Sequence, residues 1–159
     1  MKRLVATLPD DIDELCLLRL GIQARGLRAA LWVRTITKSV RRSILDALRS
    51  NSGLLHSESF RLGIGHQGFL LYWRGFQDLE TWARSEPHTT WWRALIDRSR
   101  RRSDVGVYHE TFLVPRGQYE TIYLNCSPVG MSAFCTLSEP VGVLTTARDR
   151  LGRRTPPQT

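Results

Sequence analysis

The spacing of apolar residues changes period several times along the chain, and each change predicts a new element. Leu15, Leu18 and Ile22 recur at helical spacing behind Pro9 and an acidic stretch, which predicts a helix over 9–23. The later periods predict a strand over 28–37, a helix over 38–50, strands over 54–62 and 69–76, a helical region over 77–102 broken at Pro87, a strand from 105, a turn at 115–118 and an alternating segment over 119–125.

After the first helix, this order is β-α-β-β-α-β, which predicts an α+β fold of the ferredoxin-like type. That arrangement has a four-stranded antiparallel sheet with both helices on one face. We expect an N-terminal helical appendage over 1–25, the ferredoxin-like domain over 26–136, and a partly disordered C-terminal tail over 137–159.

The second face of such a sheet also needs a cover. We expect it to carry large apolar side chains, drawn from Phe69, Leu71, Trp73, Val107 and Leu113. A second copy of the sheet would cover them and form a two-fold dimeric α+β barrel. The segment 119–125 would then be available to pair with the partner, so the sequence predicts a homodimer.

Charge and cysteine content narrow the class of protein. The 159 residues carry a net charge of +8, nearly all of the positive charge being arginine, and the densest cluster ends a predicted helix at 98–102. Cations suit the C-terminal end of a helix, so a solvated helix end explains this cluster, and we expect no nucleic-acid partner. Three cysteines without metal-ligand spacing, and no membrane-spanning run, predict a cytoplasmic protein with no membrane partner.

The glycine-rich segment 63–68 matches G-x-G-x-x-G. A dinucleotide-binding loop needs a helix after this motif, because the helix N-terminus holds the pyrophosphate. Here a predicted strand follows instead. The motif therefore predicts a hairpin loop, with His66 at its tip.

One histidine stands out in the predicted strand that begins at 105. Val105, Val107, His109, Thr111 and Leu113 alternate onto one face, which places an imidazole in a mostly apolar row. The residues alone leave two interpretations open. His109 is either a core histidine bonded to a backbone carbonyl, or a ligand or base in a site.

Several phrases together carry a family resemblance: GLL at 53–55, LLYWRGFQDLETWA at 70–83, HTTWW at 88–92 and VGVYHETFLVPRGQYETIYLN at 105–125. Over about residues 26–130 the chain resembles the family of small monooxygenase-like proteins that includes the fumagillin-pathway monooxygenase. The resemblance implies a dimeric α+β barrel and an oxygen-handling enzyme that acts on a hydrophobic small molecule.

The stretch 105–127 also resembles haem-containing aldoxime dehydratases, in which a barrel histidine ligates the haem iron. His109 would be the matching position. The chain departs from that family at Ser127, where the dehydratases place a histidine that could serve in acid–base chemistry. The resemblance therefore implies a possible haem site but not simple transfer of the dehydratase reaction.

Two enzymatic hypotheses use the same histidine. In one, His109 ligates haem, tryptophans and Phe112 wall the macrocycle, and an arginine such as Arg34 or Arg61 pairs with a propionate. In the other, His109 is the base of a cofactor-free monooxygenase, with tyrosine or asparagine partners. The candidate residues are His109, Asn125 and Tyr108 for catalysis, and Trp73, Trp92 and Arg74 with His109 as metal ligand for the cofactor. A haem-dependent dehydratase-like lyase and a non-catalytic ligand-binding module are the remaining alternatives.

Overall fold

A computed structural model describes residues 3–140 and 146–151. In chain order its elements are β1 (Arg3–Thr7), β2 (Glu14–Ala24), α1 (Leu27–Arg49), β3 (Leu54–Gly63), β4 (His66–Trp73), α2 (Phe76–Arg84), α3 (His88–Arg101), β5 (Val105–Pro115), β6 (Tyr123–Leu124), a 3₁₀ turn (Gly130–Ala133), β7 (Thr136–Ser138) and α4 (Ala147–Leu151). The chain divides into two compact units, one formed by residues 16–112 and the other by 1–15 together with 113–159.

The unit formed by residues 16–112 confirms the predicted α+β class. Its sheet has the order β3-β4-β2-β5, so the chain runs β-α-β-β-α-β with β2 as the first strand. Strands β3 and β4 are joined by a tight hairpin, and β4 pairs antiparallel with β2. This is the ferredoxin-like order, with β2 in the interior and β5 at one edge.

One row of each strand faces the helices and forms the core. In β2 and β4 the cross-strand pairs Leu18↔Leu71 and Leu20↔Phe69 belong to this row, and all four side chains are buried. Helices α1, α2 and α3 cover them with their own buried stripes. Val105 of β5 joins the same core cluster, so the odd-numbered residues of β5 face the helices.

The predicted N-terminal helix over 9–23 is wrong, because most of that segment is β2. Residues 14–24 form a nearly continuous apolar run, and Cys16, Leu18, Leu20 and Ile22 are all buried on one side. Leu15 and Leu17 add apolar side chains to the opposite row, which also carries Arg19 and Gly21. The residues of β2 therefore also satisfy helical spacing, and periodicity alone cannot separate the two structures.

The predicted strand over 28–37 is also wrong, because it forms the first half of α1. Ala29, Val33, Val40, Ile44 and Ala47 make a single buried helical stripe across the whole of 27–49. The β-branched residues of 33–37 favour a strand by local propensity, and packing of the stripe on the sheet overrides that preference. The predicted helix over 38–50 is confirmed as its second half.

The composition predicted for the second sheet face is wrong as well. Phe69, Leu71, Trp73 and Val107 belong to or pack against the helix-side core. The opposite face instead carries Tyr108, whose hydroxyl lies 2.9 Å from Nε2 of His66, and Arg19, which forms a 2.8 Å ion pair with Glu110.

Two glycines shape the same face. Gly21 and Gly68 are paired across β2 and β4. A Cβ at Gly21 would overlap the Tyr108 ring, and one at Gly68 would meet Phe60 and the Leu20 carbonyl. Because neither position has a side chain, the aromatic rings can lie flat against the backbone.

In the second unit, β1 pairs antiparallel with both β6 and β7. The segment 119–125 is therefore strand only at Tyr123–Leu124, which pairs with β1 of the same chain. Upstream, the Tyr119 hydroxyl accepts a hydrogen bond from the Leu8 N–H. The predicted disordered tail 137–159 falls partly outside the described residues, and Leu137 and Ser138 within it belong to β7.

Within the described segments of the chain, every helix is too short or too polar to cross a membrane.

Candidate active site

A cavity of about 310 Å³ lies between the helix-facing side of the sheet and helices α2 and α3. Strands β2 and β5 supply one wall and the two helices supply the other. Its lining is mainly apolar, with two histidines and one carboxylate. The lining residues are Leu18, Leu20, Phe76, Leu79, Glu80, Ala83, His88, Trp92, His109 and Thr111.

The helix-side histidine is placed by the face of α3 that packs on the core. His88, Trp91, Trp92 and Leu95 are spaced at i, i+3, i+4 and i+7, so they lie along one side of the helix. The Glu86 carboxylate accepts hydrogen bonds from the Thr89 hydroxyl and from the backbone N–H of Thr90 in the first turn. A negative charge is favourable at this helix end, so this contact stabilises the start of α3 where His88 lies.

Three indole rings surround the His88 imidazole. Its ring centroid lies 4.5 Å from that of Trp82 and 4.3 Å from that of Trp91, both edge-on. The Trp92 ring is stacked at 6.2 Å with an interplanar angle of 20°. Such a cage removes water from one side of the imidazole while leaving the other side toward the cavity lining.

Burial lowers the pKa of His88 to about 4, from an ordinary value of 6.5. A hydrogen bond with the backbone of Ala83 opposes this lowering of the pKa. Electrostatic repulsion from His109 adds to the lowering, and attraction to the Glu86 carboxylate opposes it weakly. The aromatic faces would favour an imidazolium, yet the loss of hydration outweighs them. His88 is therefore neutral near pH 7 and keeps an unprotonated ring nitrogen.

His109 approaches the same cavity from β5. Its ring centroid lies 5.4 Å from that of Trp92, nearly perpendicular to it, and the side chain is exposed to solvent. Trp92 therefore contacts both histidines and stands between them. The site combines one caged, neutral imidazole with one accessible imidazole.

Several buried polar atoms around this cavity have no hydrogen-bond partner among the described residues. They include Nδ1 of His88 and the indole N–H groups of Trp73, Trp82 and Trp91. An unsatisfied buried polar atom costs roughly 1–3 kcal/mol, so native proteins usually supply a partner, water or ligand. The aromatic cluster thus has hydrogen-bonding capacity that no group in residues 3–140 or 146–151 uses.

Of the residues predicted for the site, the structure brings only His109 and Trp92 to this cavity. Tyr108 is next to His109 in β5 and therefore points to the opposite face of the sheet, where it contacts His66. The predicted place of His66 at a loop tip is wrong, since it begins β4 and contacts Tyr108.

The other predicted residues lie elsewhere. Trp73 is fully buried against Trp82, at 5.3 Å between ring centroids, and does not line the cavity. Arg74 is exposed beyond the end of β4. Asn125 is an exposed residue with a φ of 53° in the other compact unit, so no shared site with His109 is described.

His88 was named from the sequence only within the HTTWW phrase and was not among the predicted catalytic or cofactor-binding residues. The signal was present, because His88 precedes Trp91 and Trp92 by three and four residues on one helix. Thr111 and the apolar walls from β2 were missed, the latter because β2 had been predicted as a helix. In the part of the chain that the structure describes, no group of three or more metal-ligating side chains is found.

The family model for the monooxygenase af470-like proteins matches residues 15–131. The chain belongs to this family. The match covers the whole ferredoxin-like unit and both cavity histidines, and it confirms the resemblance seen in the sequence. Family membership supports an enzyme with an oxidoreductase-like role. Among curated proteins, no significant match was found.

Solved structures show the same fold. The aldoxime dehydratase OxdRE, crystallised with butyraldoxime, superposes with a TM-score of 0.62 at 18% identity, covering 94% of this chain and 42% of its own. Another aldoxime dehydratase superposes with a TM-score of 0.64 at 21% identity, and the alignment covers 95% of this chain and 44% of the dehydratase. A conserved protein from Bacteroides thetaiotaomicron, described as a possible oxidoreductase, superposes with a TM-score of 0.50 at 8% identity, and the alignment covers 64% of this chain and 98% of that protein. The chain spans less than half of each dehydratase, and these identities show the fold alone.

The lowered pKa of His88 predicts a pH-dependent stability. Because the pKa is lower in the folded than in the unfolded chain, the contribution of neutral His88 is complete above about pH 6.5 and is lost as the pH falls toward about 4. The urea midpoint should drop over this window, and His88→Gln should flatten the drop. Histidine NMR titration provides the direct check, and a His88 pKa near its ordinary value would contradict the caged geometry.

Proposed function

We propose that this protein is a monooxygenase-like enzyme that oxidises a compact hydrophobic molecule bound between the sheet and helices α2 and α3. One observation carries the proposal: a histidine caged by indoles and a solvent-exposed histidine line a single, mainly apolar cavity. Titratable side chains that converge on an apolar pocket are candidates for acid–base chemistry.

The cavity limits the size and polarity of the substrate. A volume of about 310 Å³ is at the small end of the ~300–1,000 Å³ usual for ligand pockets. Its one carboxylate, on Glu80, is paired with Arg84 at 2.7 Å. A neutral molecule of one or two rings with an acidic C–H or O–H group fits this lining best.

We assign proton removal to His109, which is accessible and lies at the wall opposite α3. His88 then holds the polar end of the substrate, because its neutral imidazole can donate or accept a hydrogen bond and its Nδ1 has no described protein partner. The indole cage excludes water on the helix side, which strengthens such a bond.

The redox balance of this reaction needs no external reductant. A substrate AH₂ loses its acidic proton to His109, and the resulting anion is electron-rich enough to reduce O₂. One oxygen atom enters the substrate and the other leaves as water, so AH₂ and O₂ give AO and H₂O. Both electrons lost with the two hydrogens reduce the oxygen that becomes water.

Of the side chains that line the cavity, only His109 matches the residues predicted to hold a haem through its iron or its propionates. His109 is an accessible imidazole that could ligate iron, but the cavity is small for a macrocycle and its lining includes no lysine or arginine for the propionates. The arginines suggested for that role lie elsewhere: Arg34 and Arg61 line a different cleft, and Arg74 is exposed. These residues do not fit a haem within the cavity, and no step through haem is assigned.

Substitution of His109 tests the cofactor-free assignment. With 1-naphthol and 2-tetralone as probe substrates, His109→Ala should reduce O₂ uptake by roughly 10²–10⁴-fold, the usual contribution of a general base. His88→Gln should mainly raise KM, because it retains a hydrogen-bonding group without the ring.

The matched control is His56→Ala, which removes a histidine that lies on β3 beside Glu58 and does not line the cavity. Its O₂ uptake should stay close to that of the unaltered protein. Probe binding can be followed by tryptophan fluorescence, and the proposal would be refuted if neither probe binds. It would also be refuted if the His109 and His56 variants lose O₂ uptake equally.

Titration with haemin separates the two oxidative hypotheses. We expect no Soret band that depends on His109, because the cavity provides neither the space nor the cations for the macrocycle. A Soret band in the unaltered protein that disappears in His109→Ala would replace the cofactor-free mechanism with haem ligation, and would reopen the dehydratase-like alternative.

We also propose that the protein forms a homodimer through the sheet face opposite the helices. Phe112 is about half exposed on that face, and the Arg19–Glu110 pair lies beside it. Sedimentation should give a dimer at micromolar concentration that Phe112→Glu weakens, and a monomer would contradict the proposed dimer surface.

Three free cysteines support the cytoplasmic location expected from the sequence.

A further inference from the structure

A second cavity, separate from the histidine site, lies between α1 and the β3–β4 hairpin. It has a volume of about 490 Å³, and an adjoining pocket of about 150 Å³ shares several of its walls. None of its lining residues is shared with the cavity that contains His88 and His109. We call it the basic cleft, for the four cationic side chains that line it: Arg34, Lys38, Arg41 and Arg61.

The positions of these cations follow from the secondary structure. Arg34, Lys38 and Arg41 are spaced at i, i+4 and i+7 on α1, so they form one row along the helix. Arg61 lies on β3 and approaches the cleft from the other wall. Positive groups thus border a concave space from two elements, unlike the single solvated row of an ordinary surface helix.

The charges of the basic cleft are not balanced within the described residues. No aspartate or glutamate lines the cleft, and none of its four cations forms an ion pair among the described side chains. Like charges at i, i+3 and i+4 repel one another and reduce helix stability. A bound anion would remove that cost.

Neutral groups of the cleft add hydrogen-bonding capacity. The Gln67 side-chain amide donates to the Thr37 hydroxyl at 2.8 Å, which leaves the hydroxyl hydrogen of Thr37 available to a ligand. His66 also lines the cleft, next to these groups.

The G-x-G-x-x-G segment contributes its first turn to this wall. Gly65 has a φ of 75° and Gly68 is closely packed, so the fold requires both of these glycines. Gly63 has no such requirement, since a Cβ there would meet nothing within 4 Å, and it lines the basic cleft. The open backbone at Gly63 leaves room for a ligand beside Arg61.

From these observations we infer that the basic cleft is a binding site for a small, multiply charged phosphate anion. Arginine forks and a lysine ammonium are the side chains that bind phosphate oxygens most strongly, and two bordering elements can contact more than one phosphate. A free polyphosphate and the phosphate chain of a nucleotide share this chemistry. The site is independent of the oxidation chemistry proposed above.

Inorganic tripolyphosphate is the probe for this site, at constant ionic strength maintained with NaCl. It should raise the melting temperature in a saturable manner, because a ligand that binds the folded state stabilises it. Arg41→Gln and Arg61→Gln should each weaken its Kd by roughly tenfold, which is the effect of losing one charge-assisted contact.

Arg42→Gln is the matched control, because Arg42 is the next residue on α1, carries the same charge and does not line the basic cleft. It should leave the Kd unchanged. Lys38→Gln removes a repelling cation from the middle of the row, so without ligand its melting temperature should not fall. This variant keeps the test valid if an arginine variant folds poorly.

The outcomes distinguish the possible ligands. Tighter binding of ATP than of tripolyphosphate would identify a nucleotide as the source of the phosphates, whereas equal or weaker ATP binding would identify a free polyphosphate. Equal losses in Arg41→Gln and Arg42→Gln would overturn the inference, because they would show diffuse attraction to a basic surface. Binding confined to long single-stranded DNA would overturn it also, as would the absence of saturable binding.

Discussion

The burial of β2 inside the sheet is the constraint on which the rest of this structure depends. β2 lies between β4 and β5, and its row Cys16, Leu18, Leu20 and Ile22 packs beneath the helices. A shift of one residue in its pairing would turn these side chains to the opposite face. Their burial therefore sets the register of the sheet, and with it the direction in which each residue of β5 points.

The register of the sheet turns the adjacent residues His109 and Tyr108 of β5 to opposite faces. His109 faces the helices and lines the cavity, whereas Tyr108 faces the other way and contacts His66. The same layer of helices carries His88 to the facing wall, caged by indoles that lower its pKa. The candidate site thus follows from core packing, since the elements that bury the apolar rows also bring the two histidines together.

The sequence predicted the later elements well and the earlier ones poorly. The β3–β4 hairpin, the break before α3 and the strand beginning at Val105 each carry local signals, such as glycines, Pro87 or strict alternation. β2 lacks such a signal because apolar residues occur in both of its rows, so Leu15, Leu18 and Ile22 fit a helical spacing equally well. The first half of α1 was wrongly predicted as a strand because it is rich in β-branched residues. Its helical spacing becomes clear only when the buried stripe is followed over the whole of 27–49.

What the sequence by itself determined is the order of the second half of the fold, its family and the choice of His109 as a candidate site residue, because these depend on local patterns and short motifs. Only the tertiary structure decided which residues accompany His109. Trp92 and His88 reach the cavity through helix packing, whereas Trp73 is buried elsewhere and Asn125 lies in the other compact unit. The four cations of the basic cleft likewise come from two elements, α1 and β3, and Arg61 reaches the row on α1 only because the chain folds back after that helix.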